Sequence, residues 1–232
     1  GAGDTRESCR PPGRFCPGPV GEWLDVVRPM IPVYPRTARP LDLFELAFPE
    51  YWVLPVDRAD RSWHVVGLFN WGRNEDVAES APVVEGPRDK TIRWADLGLA
   101  PGDSVLMFNV WDRTCEWATG PDWTMTAQPR TGTLLVVHPQ SDGPRVVFTT
   151  RHLLGGAVEI VDETVTDAGN TLEFSISNPA GHEVTVYIDG PSAPTTVMAP
   201  ADAVIAAGPC DNVWAITFTP DQPETFVQIS FD

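Results

Sequence analysis

Chemistry needs reactive side chains at defined spacings, and this sequence offers three stocks of them: acids, tryptophans, and a thin set of histidines and cysteines. Thirty-two aspartates and glutamates could supply the paired carboxyl groups of glycoside hydrolysis, which sit about 5 Å apart for retention or about 6.5–9.5 Å for inversion. With so many acids some pair falls at that spacing by chance, so their number identifies no site. A Ser-His-Asp hydrolase carries its nucleophile on a G-x-S-x-G elbow. No such pentapeptide occurs, and Gly102-Asp103-Ser104 and Gly190-Pro191-Ser192 are turn sequences. There is also no HExxH, no P-loop and no GxGxxG after a strand. His64, His138, His152 and His182 stand far apart without ligand spacing, and they read as strand or turn residues. No catalytic residue, metal site or cofactor is expected.

The four cysteines are Cys9, Cys16, Cys115 and Cys210. Cys9 and Cys16 lie close together in a Pro/Arg/Gly-rich stretch, where a local disulfide or half a zinc site is conceivable. A structural zinc site takes four ligands in paired short spacings, and neither Cys115 nor Cys210 has a neighbouring cysteine or histidine. Unpaired thiols are the expectation.

Nine tryptophans are the feature most suggestive of binding, since flat aromatic faces suit the apolar faces of sugar rings. Trp111, Trp117 and Trp123 recur at every sixth residue around a loop that holds Asp112, Arg113, Glu116 and Asp122 as hydroxyl partners. An exposed pair would make a carbohydrate platform. The competing reading is packing, because large aromatics dominate cores and interfaces, and Trp52, Trp63, Trp94 and Trp214 sit inside strand patterns.

Composition narrows the partners. The 232 residues carry a net charge of −16 and are 42% hydrophobic. That is enough apolar material for one large or two small domains. An acid excess argues against a nucleic-acid partner, which demands clustered cations. Lys90 is the only lysine. No apolar run approaches the 18 or so residues that span a bilayer, and no charged-apolar-small pattern marks a secretion signal. A neutral partner, and no membrane, is the expectation.

The elements that must position these residues are strands. Residues 1–31 are expected to be a disordered lead, rich in Gly, Pro and Arg, followed by one short amphipathic helix over Val20–Met30 that Pro29 and Pro32 end. Strand signals at Tyr51–Val56 and Trp63–Trp71, joined by the polar turn Asp57–Arg61, predict a hairpin. Further strands are predicted at Thr91–Trp94, Ser104–Trp111, Trp123–Gln128 and Thr131–His138, with Arg73–Asp89 as a solvated loop. These make residues 32–138 a first antiparallel β-sandwich. Residues 139–144, PQSDGP, read as a linker. Beyond it eight strand signals, with clean alternation in Leu172, Phe174, Ile176 and in Val184, Val186, Ile188, predict a second, Ig-like sandwich over residues 145–232, each strand with one wet face. The fold class is all-β, two antiparallel sandwiches.

Several short segments also carry a family likeness. Val33–Glu45, then Trp52-Val53-Leu54 and Val65–Trp71, resemble the junction after the catalytic barrel in α-galactosidase-like (melibiase group) glycoside hydrolases. Ala95-Asp96-Leu97-Gly98-Leu99 and Phe108–Asp112 are similar to signatures of that family's C-terminal sandwich. Thr149-Thr150-Arg151-His152 with Gly155-Gly156-Ala157 resembles the entry to its last β module. The resemblance implies an accessory, non-catalytic C-terminal region whose partner is a catalytic barrel in cis. It also implies that Trp23, Phe44, Phe48 and Tyr51 face that barrel. A (β/α)8 barrel takes about 250 residues and only residues 1–31 precede Pro32, so no catalytic residue is carried onto any position here. Two rival readings are a free-standing carbohydrate-binding module and a small hydrolase, which would need a pocket with a poised nucleophile.

Overall fold

A strand turns successive side chains to opposite faces, so the runs of Val, Ile, Leu and Phe decide which face of each sheet is buried. The computed structural model describes residues 28–31, 34–46, 48–58, 61–72 and 86–232. The chain enters through a single 3-10 turn, Arg28–Met30. The rest of the expected helix, and the lead before it, lie outside the described residues.

The first half holds β1 (Arg39–Pro40), β2 (Tyr51–Asp57), β3 (Ser62–Asn70), β4 (Arg88–Arg93), β5 (Ser104–Asn109), β6 (Thr114–Thr119), β7 (Asp122–Ala127) and β8 (Thr131–Pro139). Six of these form one antiparallel sheet in the order β1-β2-β3-β8-β5-β6, and β4 pairs with β7. The second half holds β9 (Arg145–Thr149), β10 (Ile160–Thr166), β11 (Thr171–Ser177), β12 (Val184–Asp189), β13 (Pro194–Met198), β14 (Val204–Ala207), β15 (Val213–Phe218) and β16 (Glu224–Phe231). These make two four-stranded sheets, β14-β15-β12-β9 and β10-β11-β16-β13. The all-β, antiparallel class expected from periodicity is what the chain adopts.

Three cores lie between four layers. Ile92, Trp94 and Leu97 from the β4 region cover one face of the six-stranded sheet, against Val53, Val66, Leu68, Val105, Met107, Leu135 and Val137. The opposite face presents Leu54, Val56, Trp63, Val65, Leu106, Phe108 and Val136 to Val147, Phe148, Tyr187 and Val213 of the second half. The third core fills the space between the two four-stranded sheets, with Leu172, Phe174, Ile176, Val186, Ile188, Ile216 and Phe218 at its centre. The sheet β14-β15-β12-β9 therefore carries apolar residues on both faces.

Four expectations are corrected here. β12 has no wet face: Tyr187, between Val186 and Ile188, packs its ring against Phe108 and Phe148 at centroid distances of 5.0 and 6.0 Å. β6, unforeseen because Cys115-Glu116-Trp117-Ala118 lacks β-branched residues, pairs along its length with β5. Arg88 and Asp89, expected in a solvated loop, open β4 because every residue of that strand finds a partner in β7. Cys115 and Cys210, expected as free thiols, form a disulfide with a Cα–Cα distance of 5.5 Å. The sequence places them 95 residues apart, and only the stacking of the two halves brings them within bonding geometry.

Candidate functional site

The seam between the two halves is built from the hairpin β2–β3 and the segment after β9. Arg58 donates to the carbonyls of Gly156 and Ile160 at 3.1 and 2.6 Å, and Arg61 donates to Val146 O at 2.6 Å and pairs with Glu163. Trp63 Nε1 donates to Leu154 O at 3.0 Å. The close approach requires glycine at position 155: its φ is +65°, and a Cβ there would lie 2.7 Å from Val136 and 3.0 Å from Val147 O. Glu159 is buried and accepts the Thr149 hydroxyl. Burial pushes its carboxyl above the usual range, and the Thr149 bond pulls the other way. The Thr149–Ala157 motif thus belongs to packing of the seam.

At one end of that seam the halves part into a cleft of about 270 Å³, lined by Ser104, Trp117, Gln140, Asp189, Gly190 and Asn212 among others. Asp189 is a buried member of that lining, with Arg145 Nη2 at 3.1 Å from one carboxylate oxygen. Burial raises its pKa and the Arg145 charge opposes the rise. Trp117 Nε1 donates to Asp211 O at 3.1 Å, across the seam.

The three spaced tryptophans are not brought into one plane. Cys115 and Trp117 face the core shared with the second half, whereas Trp123 packs against the core on the other side of the six-stranded sheet. Glu116, between Cys115 and Trp117, points to that other side and accepts the Trp123 Nε1–H at 2.8 Å. Period-2 alternation along β6 is the cause. Trp111 stands at the β5–β6 turn, 51% exposed.

An aromatic face occupies the edge near β1. Phe44 is 99% exposed and Phe48 46% exposed, both in the segment between β1 and β2. Asp42 shapes that segment: its backbone carbonyl accepts from Glu45 and Leu46, and its carboxylate from the Glu50 N–H at 2.8 Å. Residues spaced by two in extended chain share a face, so Phe69 of β3 and Trp71, just past its end, stack in parallel at 4.8 Å. Trp71 Nε1 donates to Pro49 O at 2.9 Å, which ties the stack to the loop carrying Phe48. Phe48, Phe69, Trp71, Arg130 and Gly132 line a groove of about 570 Å³. Gly132 is required beneath it, since a Cβ would meet the Phe69 ring at 2.8 Å. Phe69 and Trp71 were not read from the sequence as part of this face, although their i, i+2 spacing in a strand was the available signal.

Of the residues expected to meet a barrel, Phe48 lies on this face, and Phe44 is exposed in the same β1–β2 segment. Tyr51 does not stand free: it packs against the outer core, its hydroxyl accepts the Thr91 N–H at 3.3 Å, and Lys90 Nζ lies 5.4 Å from its ring centroid. Trp23 lies outside the described residues.

The buried titratable groups have structural partners. Lys90 and Glu50 pair in the interior, with Arg88 at 3.6 Å. His138 Nε2 lies 2.8 Å from Val147 O, and since a carbonyl only accepts, that nitrogen carries the proton. Burial, reinforced by Arg145 and Arg61, holds His138 well below the usual imidazole range. Among the described residues no group of three His, Cys, Asp or Glu is arranged to hold a metal ion. No protein-family model matches the chain, and no characterised protein matches it significantly in sequence.

Proposed function

We propose that this chain is a non-catalytic accessory region of an α-galactosidase-like glycoside hydrolase, and that its aromatic face seats the catalytic barrel. The observation that carries the reading is the face itself. Phe48 and Trp71 leave large apolar rings in water in an aromatic-lined groove, and Phe44 is exposed in the segment that carries Phe48. Soluble monomers rarely leave extended apolar patches uncovered, and aromatics are enriched in the anchors of interfaces. Phe44 belongs to the Val33–Glu45 segment, and Phe48 follows it directly, so the face falls where the resembled hydrolases join barrel to sandwich. The rest of the chain supports a bracing role: stacked layers, a shared core and a cross-linking disulfide make a stiff support. Such disulfides persist in oxidising compartments, which suits an enzyme acting on external glycans.

The reading frame upstream of the Gly1 codon tests this directly. A segment of about 250 residues with alternating strand and helix patterns is expected there. A frame that opens just before Gly1 would overturn the assignment. Purified alone, the chain should hydrolyse aryl α-galactosides at the uncatalysed rate, and turnover abolished by changing a single acid would equally refute it.

A further inference from the structure

The cleft at the end of the seam shares no lining residue with the aromatic groove, and its lining has the composition of a binding site. At about 270 Å³ it lies just below the usual range for ligand pockets, which suits one ring rather than a chain of them. Trp117 supplies an apolar aromatic wall. Ser104, Gln140 and Asn212, residues whose side chains both donate and accept, also line the cleft. Asp189 adds a carboxylate on a buried residue, with Arg145 Nη2 3.1 Å from one of its oxygens. A few convergent polar groups beside an aromatic wall are the usual composition of a site for a small polar molecule.

Charge sets the ligand class. Asp142 and Asp189 both line the cleft, Arg145 is already paired with Asp189, and the chain carries a net charge of −16. An anion would be repelled. A metal ion would need more ligands than these, since among the described residues no three metal-ligating side chains converge. With the Asp189 charge already countered by Arg145, the lining suits a neutral molecule with an apolar face for the indole and hydroxyls for the polar groups.

The walls are fixed before any ligand arrives. Trp117 is held by its bond to Asp211 O at 3.1 Å, and the Cys115–Cys210 disulfide ties the same strand to the same loop. The Gly190 N–H donates to Asn212 O at 2.8 Å. Gly190 is itself required, because a Cβ there would sit 2.3 Å from the Phe231 ring. Asn212 has a φ of 62°, a left-handed conformation that Asn and Gly adopt more readily than other residues. Preorganised walls reduce the ordering cost of binding.

We propose that this cleft binds a single neutral pyranose, stacked on Trp117 and hydrogen-bonded by Ser104, Asp189 and Asn212. The test is a titration of the ¹⁵N-labelled chain with methyl α-D-galactopyranoside and methyl β-D-glucopyranoside, with acyclic sorbitol as a control. It is followed at the indole N–H resonances. At least one glycoside should shift the Trp117 indole signal saturably while sorbitol does not. Asn212→Gly, which keeps the backbone conformation, and Ser104→Ala should each weaken that binding about 3- to 10-fold, the ordinary worth of one hydrogen bond. Unchanged melting temperatures of these two variants would show that the fold is intact. No saturable shift with either glycoside, equal response to sorbitol, or shifts confined to Trp71 or Trp111 would overturn the proposal. None of these outcomes bears on the upstream reading frame, so the docking assignment stands or falls separately.

Discussion

Removing the Cys115–Cys210 disulfide, by Cys115→Ala with Cys210→Ala, should destabilise the chain without changing its fold. The bond closes a loop of 95 residues, and loop-closure entropy for a loop of about 100 residues amounts to roughly 4.7 kcal/mol at 25 °C. Measured losses fall below that ceiling when the unfolded chain keeps residual structure, so about 3–4 kcal/mol is expected. For a chain of this size each kcal/mol moves the melting temperature by about 2–4 °C, which gives a fall of about 6–16 °C. Differential scanning calorimetry of the double variant and of the wild type with and without reductant is the assay, with non-reducing peptide mapping to show the Cys115 and Cys210 peptides linked. The variant and the reduced wild type should melt together, both well below the oxidised protein. A variant that melts with the oxidised wild type, or a map that finds the two peptides unlinked, would refute the account of the seam.

Two further perturbations probe the interior. Lys90→Met leaves Glu50 buried with only the more distant Arg88, which should cost about 3–5 kcal/mol in urea denaturation; Lys90→Met with Glu50→Leu should recover much of it, and a neutral single variant would show that the pair is not desolvated. His138 is held neutral by burial, so its contribution to stability is complete above the unfolded value of 6.5 and is lost as pH falls below it toward the lowered folded value. His138→Gln, which keeps a donor for Val147 O, should flatten the stability-versus-pH slope between about pH 6.5 and pH 5, and an unchanged slope would show that another group causes it.

Most of the strands were legible because burial on one face imposes alternation. Leu172, Phe174 and Ile176 alternate with polar residues and line the core between the two four-stranded sheets. The Asp57–Arg61 turn between two apolar runs marks a hairpin that pairs from Tyr51↔Leu68 to Asp57↔Ser62. What was not legible is long-range. β12 offers Tyr187 at a position that alternation assigns to water, and only the six-stranded sheet packed against it makes the site dry. The 95-residue separation of Cys115 from Cys210, and the Arg58 and Arg61 bonds across the seam, depend on stacking that no local pattern encodes. Even spacing suggested that Trp117 and Trp123 act together, whereas their strands place them on opposite sides of one sheet. The residues that share a cleft with Trp117 come from both halves and the connection between them, so no motif could have gathered them.

The central claim is that Phe44, Phe48 and Trp71 lie under a barrel in the protein made from the native gene. Amide hydrogen exchange over residues 41–50 and 66–71, compared between this chain alone and the full native polypeptide, measures it most directly. Docking predicts slower exchange in both segments when the rest of the polypeptide is attached, with residues 224–231 unchanged. Equal rates in the two proteins would contradict it.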